Sequence, residues 1–232
     1  MDALDPVTAE PALTQLVHDR LVEAISAGRL PPGARLTQDR VAKLLDVSRQ
    51  PVSHALQLLK HQGLAVQHGR KGLAVAPMDG VQIWRLYQVR AALDGLAARM
   101  AATRVRDGAA SRSEIAGLRR ALERGAAIGD DAETITLVRA DVAFHRALHD
   151  LSGNPEIART VSGQWPQFMR SMAIVLDGRA HRTLVWTEHA AIVAPVLAGD
   201  ADAAERCARD HAERAGEETK RRLGTMVIDA SD

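Results

Sequence analysis

Beyond Pro77 this chain of 232 residues gives no alternating apolar pattern of the kind a strand needs. It gives helical periodicity over 80–105, 112–128, 131–152, 155–176, 182–198 and 200–222, broken at Gly129-Asp130, Gly153-Asn154-Pro155 and Gly199-Asp200. Breaks this short return each helix beside the one before it, which predicts an antiparallel bundle. Pro166 falls inside the fourth segment and should kink or interrupt it. Residues 78–223 are therefore read as an all-helical domain of six to seven helices, with 224–232 a flexible tail. Aromatic residues make up only 3% of the chain, so any core is mainly aliphatic.

Residues 1–77 follow a different rhythm. "TQLVHDRLVEAISAGRL" lines Leu13, Leu16, Val17, Leu21 and Ile25 along one helical face, and "LPPGARL" stops that helix. "TQDRVAKLLDV" is a short second helix. Ser48 is placed to cap a third, "RQPVSHALQLLKHQ", with Pro51 in its first turn and Gly63 just past its end. "LAVQHGRKGLAVAP" reads as a hairpin with a Gly-Arg-Lys-Gly tip, closed by Pro77. Helix, helix, helix, hairpin is the order of a winged helix-turn-helix. The expected fold class is thus mainly α: this module followed by the bundle.

In such a module the third helix enters the major groove, where base edges carry a distinct donor and acceptor code. Its leading polar residues here are Ser48, Arg49, Gln50, Ser53 and His54, with Arg40 on the preceding helix. Leu44, Val47, Val52, Leu56 and Leu59 are left to pack inward. The wing tip offers His68, Gly69, Arg70 and Lys71: glycine for close approach, cations for phosphate. Charge agrees in direction. Residues 1–77 hold nine Lys/Arg against seven Asp/Glu, a balance of +2, and the rest hold 21 against 22, a balance of −1.

"AISAGRLPPGARLTQDRVAKLLDVSRQPVSHALQLLKHQGL" resembles the DNA-binding domain of the GntR family of bacterial transcription regulators. The likeness rests on I-x-x-G-x-L-x-P-G-x-x-L, V-S-R-x-P-V and A-L-x-x-L-x-x-x-G-L, and it spans most of residues 13 to 76. It implies that Arg49 is a recognition arginine. The family often carries Arg-Glu where this chain has Ser53-His54, so the usual operator sequence is not implied.

The second domain raises a separate question. On a helical wheel Asp141 and His145 of "DVAFHRALHD" fall within the apolar stripe of Leu137, Val138 and Leu148, one turn apart. His189 falls among Val185, Trp186, Ile192, Val193 and Val196, and His211 among Ala204, Cys207, Ala208 and Ala215. A single core histidine is usually satisfied by a backbone carbonyl. Four ligating groups on three inward faces would each lose about 1–3 kcal/mol if unpaired, and one divalent metal satisfies them together. Imidazole and carboxylate suit zinc first, with nickel, iron or manganese as alternatives. His149 lies at the edge of the stripe, and Cys207, one turn before His211, either packs or ligates.

"LYQVRAALDGLAARMAA", "DVAFHRALHDLSGN", "EHAAIVAPVLAGD" and "ARDHAERA" are together similar to the all-helical ligand domain (FCD type) of the FadR-like subfamily of GntR regulators, over roughly residues 82 to 220. The resemblance implies a metal on Asp141, His145, His189 and His211. It also implies a small organic-acid effector beside the metal and release from DNA on binding it, which is the behaviour of a repressor. Arg90 is the candidate cation for the acid, with Arg146 and then Arg170 behind it. A homodimer would set two winged domains on the half-sites of a palindromic operator in double-stranded DNA.

Other classes are disfavoured. An Asp/His₃ metal could activate water in a hydrolase, but no separate general base accompanies the ligands and the DNA-binding layout would go unused. No enzyme is expected. A DNA-binding protein with a purely structural metal is the remaining alternative. The N-terminus has neither the basic start nor the apolar run of a signal peptide, no segment suits a membrane span, and the single Cys207 excludes an internal disulfide. A cytoplasmic protein is expected.

Overall fold

The computed structural model describes residues 11–69, 72–129 and 131–229. The chain divides into two compact units, residues 1–77 and 78–232, each described by itself.

The first unit runs α1 (Pro11–Ser26), β1 (Arg35–Leu36), α2 (Gln38–Leu45), α3 (Arg49–His61), β2 (Ala65–His68) and β3 (Gly72–Val75). It is a winged helix-turn-helix. The hairpin read from the sequence acquires a third strand, because Arg35 and Leu36 pair with Ala74 and Leu73 to give the antiparallel order β1-β3-β2. Two residues are too few to show alternation, so β1 left no signal. Thr37 caps α2 by accepting from the Arg40 amide. Ser48 is the N-cap residue of α3, although its hydroxyl makes no capping bond.

Val17, Leu21, Ile25, Val52, Leu56 and Leu59 form the core of this unit. Three of the leucines expected inside lie outside it. Leu44 is 72% exposed, Leu16 53% and Leu13 41%. A helix with few neighbours buries a stripe narrower than its apolar face, and α2 and the start of α1 are such helices here.

The second unit is an all-helical bundle: α4 (Gly80–Arg106), α5 (Arg112–Ala126), α6 (Thr134–Ser152), α7 (Pro155–Ser162), α8 (Trp165–Leu176), α9 (Arg179–Ala198) and α10 (Ala201–Asp229). The caps explain the boundaries. Asp79 accepts from the Val81 and Gln82 amides, Ser111 and Glu114 form a capping box, and Gly153 ends α6 at φ +70°. Pro166 does interrupt its segment, standing in the first turn of α8 after the break at Gly163-Gln164.

Helix α10 runs past the start of the tail expected over 224–232. Helix α10 continues through Asp229, and 230–232 lie outside the described residues. Helical continuity from "ETKRRLG" outweighs the glycine at 224, since one helical Gly costs only about 1 kcal/mol.

The longest pairing is α4 against α10, with small residues at the contact. A Cβ added to Gly216 would stand 2.5 Å from Tyr87 Cβ, so only glycine permits this approach. The main core joins Ala97, Ala101, Leu118, Phe144, Leu148, Ile192 and Val196. The candidate metal ligands sit at the edge of that core.

Candidate metal centre and nucleic-acid interface

Helix α6 presents Asp141 and His145 one turn apart on its buried face, α9 supplies His189, and α10 supplies His211; all four are buried. One ring nitrogen from each histidine lies within 4.8 Å of those of the other two. His189 Nε2 is 3.2 Å from His211 Nε2 and 3.4 Å from Asp141 Oδ1, and His145 Nε2 is 3.7 Å from Asp141 Oδ2. Zinc bonds of about 2.0–2.1 Å would set neighbouring tetrahedral ligands roughly 3.3 Å apart. Asp141 thus approaches two of the histidines closely, and the three rings converge. His145 Nε2 is a buried nitrogen with no hydrogen-bond partner. Burial lowers the His145 pKa to about 4 and holds His189 well below its usual value. Both rings are therefore neutral near pH 7, which is the form that ligates a metal. The residues present fit a divalent cation.

Behind the cluster stand residues that the sequence reading did not assign a role. Asp94 Oδ2 lies 3.1 Å from Arg90 Nε and 3.2 Å from His145 Nδ1, while Asp94 Oδ1 lies 2.6 Å from His149 Nε2. Burial opposes the charge on Asp94, but the Arg90 guanidinium and the imidazoles outweigh it and hold the carboxyl well below the usual range. Glu188 plays the matching part for α10. Its Oε2 is 2.7 Å from His211 Nδ1, and its Oε1 accepts from Arg214 Nε at 2.8 Å. Carboxylates at Nδ1 direct Nε2 inward. Glu188 had a signal, the residue just before His189. Asp94 had another, four residues after Arg90 on one helical face.

Arg90 is 2% exposed and lies over the rings of Tyr87, Trp165 and Phe168 at 5.4, 5.5 and 5.0 Å. Its Nη2 has no hydrogen-bond partner. It lines a cavity of about 30 Å³ together with Asp141 and His211. Arg146 stands on the outer side of α6. It is exposed, lies 5.7 Å over Trp165, and does not line that cavity, because one residue past His145 turns it about 100° away from the buried face. Arg170 is buried, its Nη1 has no hydrogen-bond partner among the described residues, and burial lowers its pKa. Cys207 is free, half-buried and packed against the aliphatic core. His149 serves Asp94.

On the first unit Ser48, Arg49, Gln50 and His54 are exposed along the start of α3, and Arg40 is exposed on α2. Arg49 Nε lies 2.6 Å from Asp39 Oδ1, and Gln38 Nε2 donates to Ser53 Oγ at 3.1 Å. Arg49, Lys60, Gln57 and Gln67 share a polar groove between α3 and the sheet. Gly69 is exposed at φ +64°. Arg70 and Lys71 lie outside the described residues.

A winged helix-turn-helix followed by an all-helical domain with a buried polar centre is the layout of a transcription regulator. The comparisons agree. Residues 13–75 match the model described as "Bacterial regulatory proteins, gntR family", and residues 85–214 match the FCD domain. The chain belongs to the GntR family of transcription regulators, in the branch that carries an FCD domain. These are families of regulators, not of enzymes. Among relatives, the uncharacterised HTH-type regulator YdhC of Bacillus subtilis is 27% identical over 82% of this chain and 83% of its own. The HTH-type repressor NanR of Klebsiella aerogenes is 26% identical over 88% of this chain and 84% of its own. The solved structure of McbR/YncC from E. coli has the same fold, with a TM-score of 0.74 at 20% identity over 87% of this chain and 94% of that one. No helix among the described residues is long and apolar enough to cross a membrane.

Proposed function

We propose that this regulator is a cytoplasmic, homodimeric repressor that holds a divalent metal on Asp141, His145, His189 and His211 and leaves its operator when a small organic acid binds beside it. The observation that carries the reading is the convergence of three buried imidazoles and a carboxylate from α6, α9 and α10. Zinc suits this donor set best, with nickel, iron and manganese as the other choices. When bound, the ion supplies a fixed positive charge inside the bundle. Arg90 adds a second one, with Nη2 free for a carboxylate oxygen while Asp94 holds Nε.

Arg49, Arg40, Ser48, Gln50, Ser53 and His54 would face the major groove, and Gly69, Arg70 and Lys71 would follow the phosphates. A two-fold dimer matches a palindromic operator. The acid can shift DNA affinity only by binding the two states unequally.

The test combines elemental analysis of the purified protein with DNA binding. An operator selected from random duplexes should be bound without the acid and released on adding it. Protein that holds about one metal per chain and is stabilised by no acid would favour the structural-metal reading instead.

A further inference from the structure

The cavity beside the histidines is too small to house a metabolite. Its volume of about 30 Å³ is room for an acid head group or a water or two. Arg90, with its unpartnered Nη2, lines it together with Val175, Val185, His211 and Ala215. Those same four residues also line a second groove of about 370 Å³ along α9 and α10, which is within the range of volumes that hold small ligands. The two spaces have these lining residues in common, so the outer groove adjoins the cavity and is where the rest of a ligand larger than its acid group would extend.

The groove meets the cavity at Val175, Val185 and Ala215 together with His211, and Leu184 extends its apolar lining outward. Its cations are already engaged. Arg214 pairs with Glu188 at 2.8 Å and Arg221 with Glu218 at 2.7 Å. Glu217 adds a further negative charge to the lining. The lining thus holds three carboxylates, Glu188, Glu217 and Glu218, against two guanidiniums, so a second carboxylate on the ligand would meet a net negative surface.

We infer that the effector is a monocarboxylate with an apolar body, its head on Arg90 and its body along Leu184 and Val185. This rests on the proposal that the domain senses an acid at Arg90. It goes further by excluding short di- and tricarboxylates as the preferred class.

The experiment is calorimetric titration of the full-length protein, as purified, with straight-chain monocarboxylates from acetate to octanoate and with dicarboxylates of matched length. Affinity should rise about three- to fourfold per added methylene, as burial of each CH₂ implies. Each longer monocarboxylate should bind at least tenfold tighter than its dicarboxylate. Leu184, half exposed in the groove, gives a variant that leaves the core intact: Leu184→Asp should weaken octanoate at least tenfold and flatten the series. Dicarboxylates that bind as tightly as monocarboxylates, or a chain-length series unmoved by Leu184→Asp, would overturn the inference and leave acid sensing standing. Failure of both series to bind would overturn the inference and the sensing proposal together.

Discussion

The Asp94 carboxylate lies 3.2 Å from His145 Nδ1, behind the ring whose Nε2 faces Asp141. A proton shared between Nδ1 and that carboxylate would select the tautomer that turns Nε2 toward the other histidines. Asp94→Asn keeps the size but loses the charge, and metal affinity measured by chelator competition should fall about 10- to 100-fold. Unchanged affinity would show that Asp94 serves Arg90 alone. The same variant leaves the buried Arg90 without its counter-charge, so its thermal midpoint should also drop.

His189→Ala should abolish metal retention. His189 stacks on Phe144 with ring centroids 3.9 Å apart and is closest to both Asp141 and His211. Elemental analysis after gel filtration reads the result directly. Full occupancy in the variant would remove His189 from the site.

Arg49→Ala should cost about 1–3 kcal/mol in operator affinity, concentrated at one base pair. Asp39 holds Arg49 Nε and leaves the terminal nitrogens to face a guanine. Asp39→Ala should therefore relax discrimination at that same position while tightening binding to unrelated DNA, because it removes a carboxylate from the groove-facing surface. Fluorescence anisotropy across single-base operator variants separates the two effects. A uniform loss across all variants in Arg49→Ala would make it a phosphate contact.

The pattern of what was legible follows from the physics. Long periodic helices and the i, i+4 pair Asp141/His145 were readable because a helix face is a linear code. The convergence of α6, α9 and α10 on one point is not such a code; it was inferred from the unusual polarity of three inward faces. Asp94 and Glu188 escaped because a carboxylate next to a cation reads as a surface pair until burial is known. Arg146 shows the converse: its proximity to His145 in sequence is separation around the helix. Leu44 and Leu16 show that apolar character alone does not tell how much of a face is covered.

Acid should weaken the bundle through Glu114. Its carboxylate accepts from Arg104 Nη1 at 2.8 Å and from the Ser111 amide at 2.7 Å, and these bonds lower its pKa to about 2, from 4.5. A depressed carboxylate stabilises fully above its unfolded pKa and loses that contribution as pH falls through its folded one. Glu114→Gln should be less stable than the parent at pH 6, and the gap should close between pH 4.5 and 2. Urea midpoints at three pH values decide it. A gap independent of pH would assign the effect to the capping geometry and not to the charge.

Two glycines of α10 make opposite predictions on the same helix. At Gly216 a methyl would meet Tyr87 Cβ at 2.5 Å and Cγ at 3.0 Å. Neither atom can swing aside without moving α4 away from α10, so Gly216→Ala should destabilise by about 1–3 kcal/mol. Displacement of Tyr87 would also disturb its hydroxyl contact with Ser171 at 3.0 Å and its ring beneath Arg90. Acid binding should weaken along with stability. At Gly224 a methyl meets nothing within 4 Å. There the helical preference of alanine acts alone, and Gly224→Ala should stabilise by about 0.5–1 kcal/mol if α10 is helical at that point. Urea unfolding of the two variants against the parent gives both signs in one experiment. A Gly224→Ala variant with no gain would mean that the helix ends before residue 224 in solution, as the sequence alone had suggested.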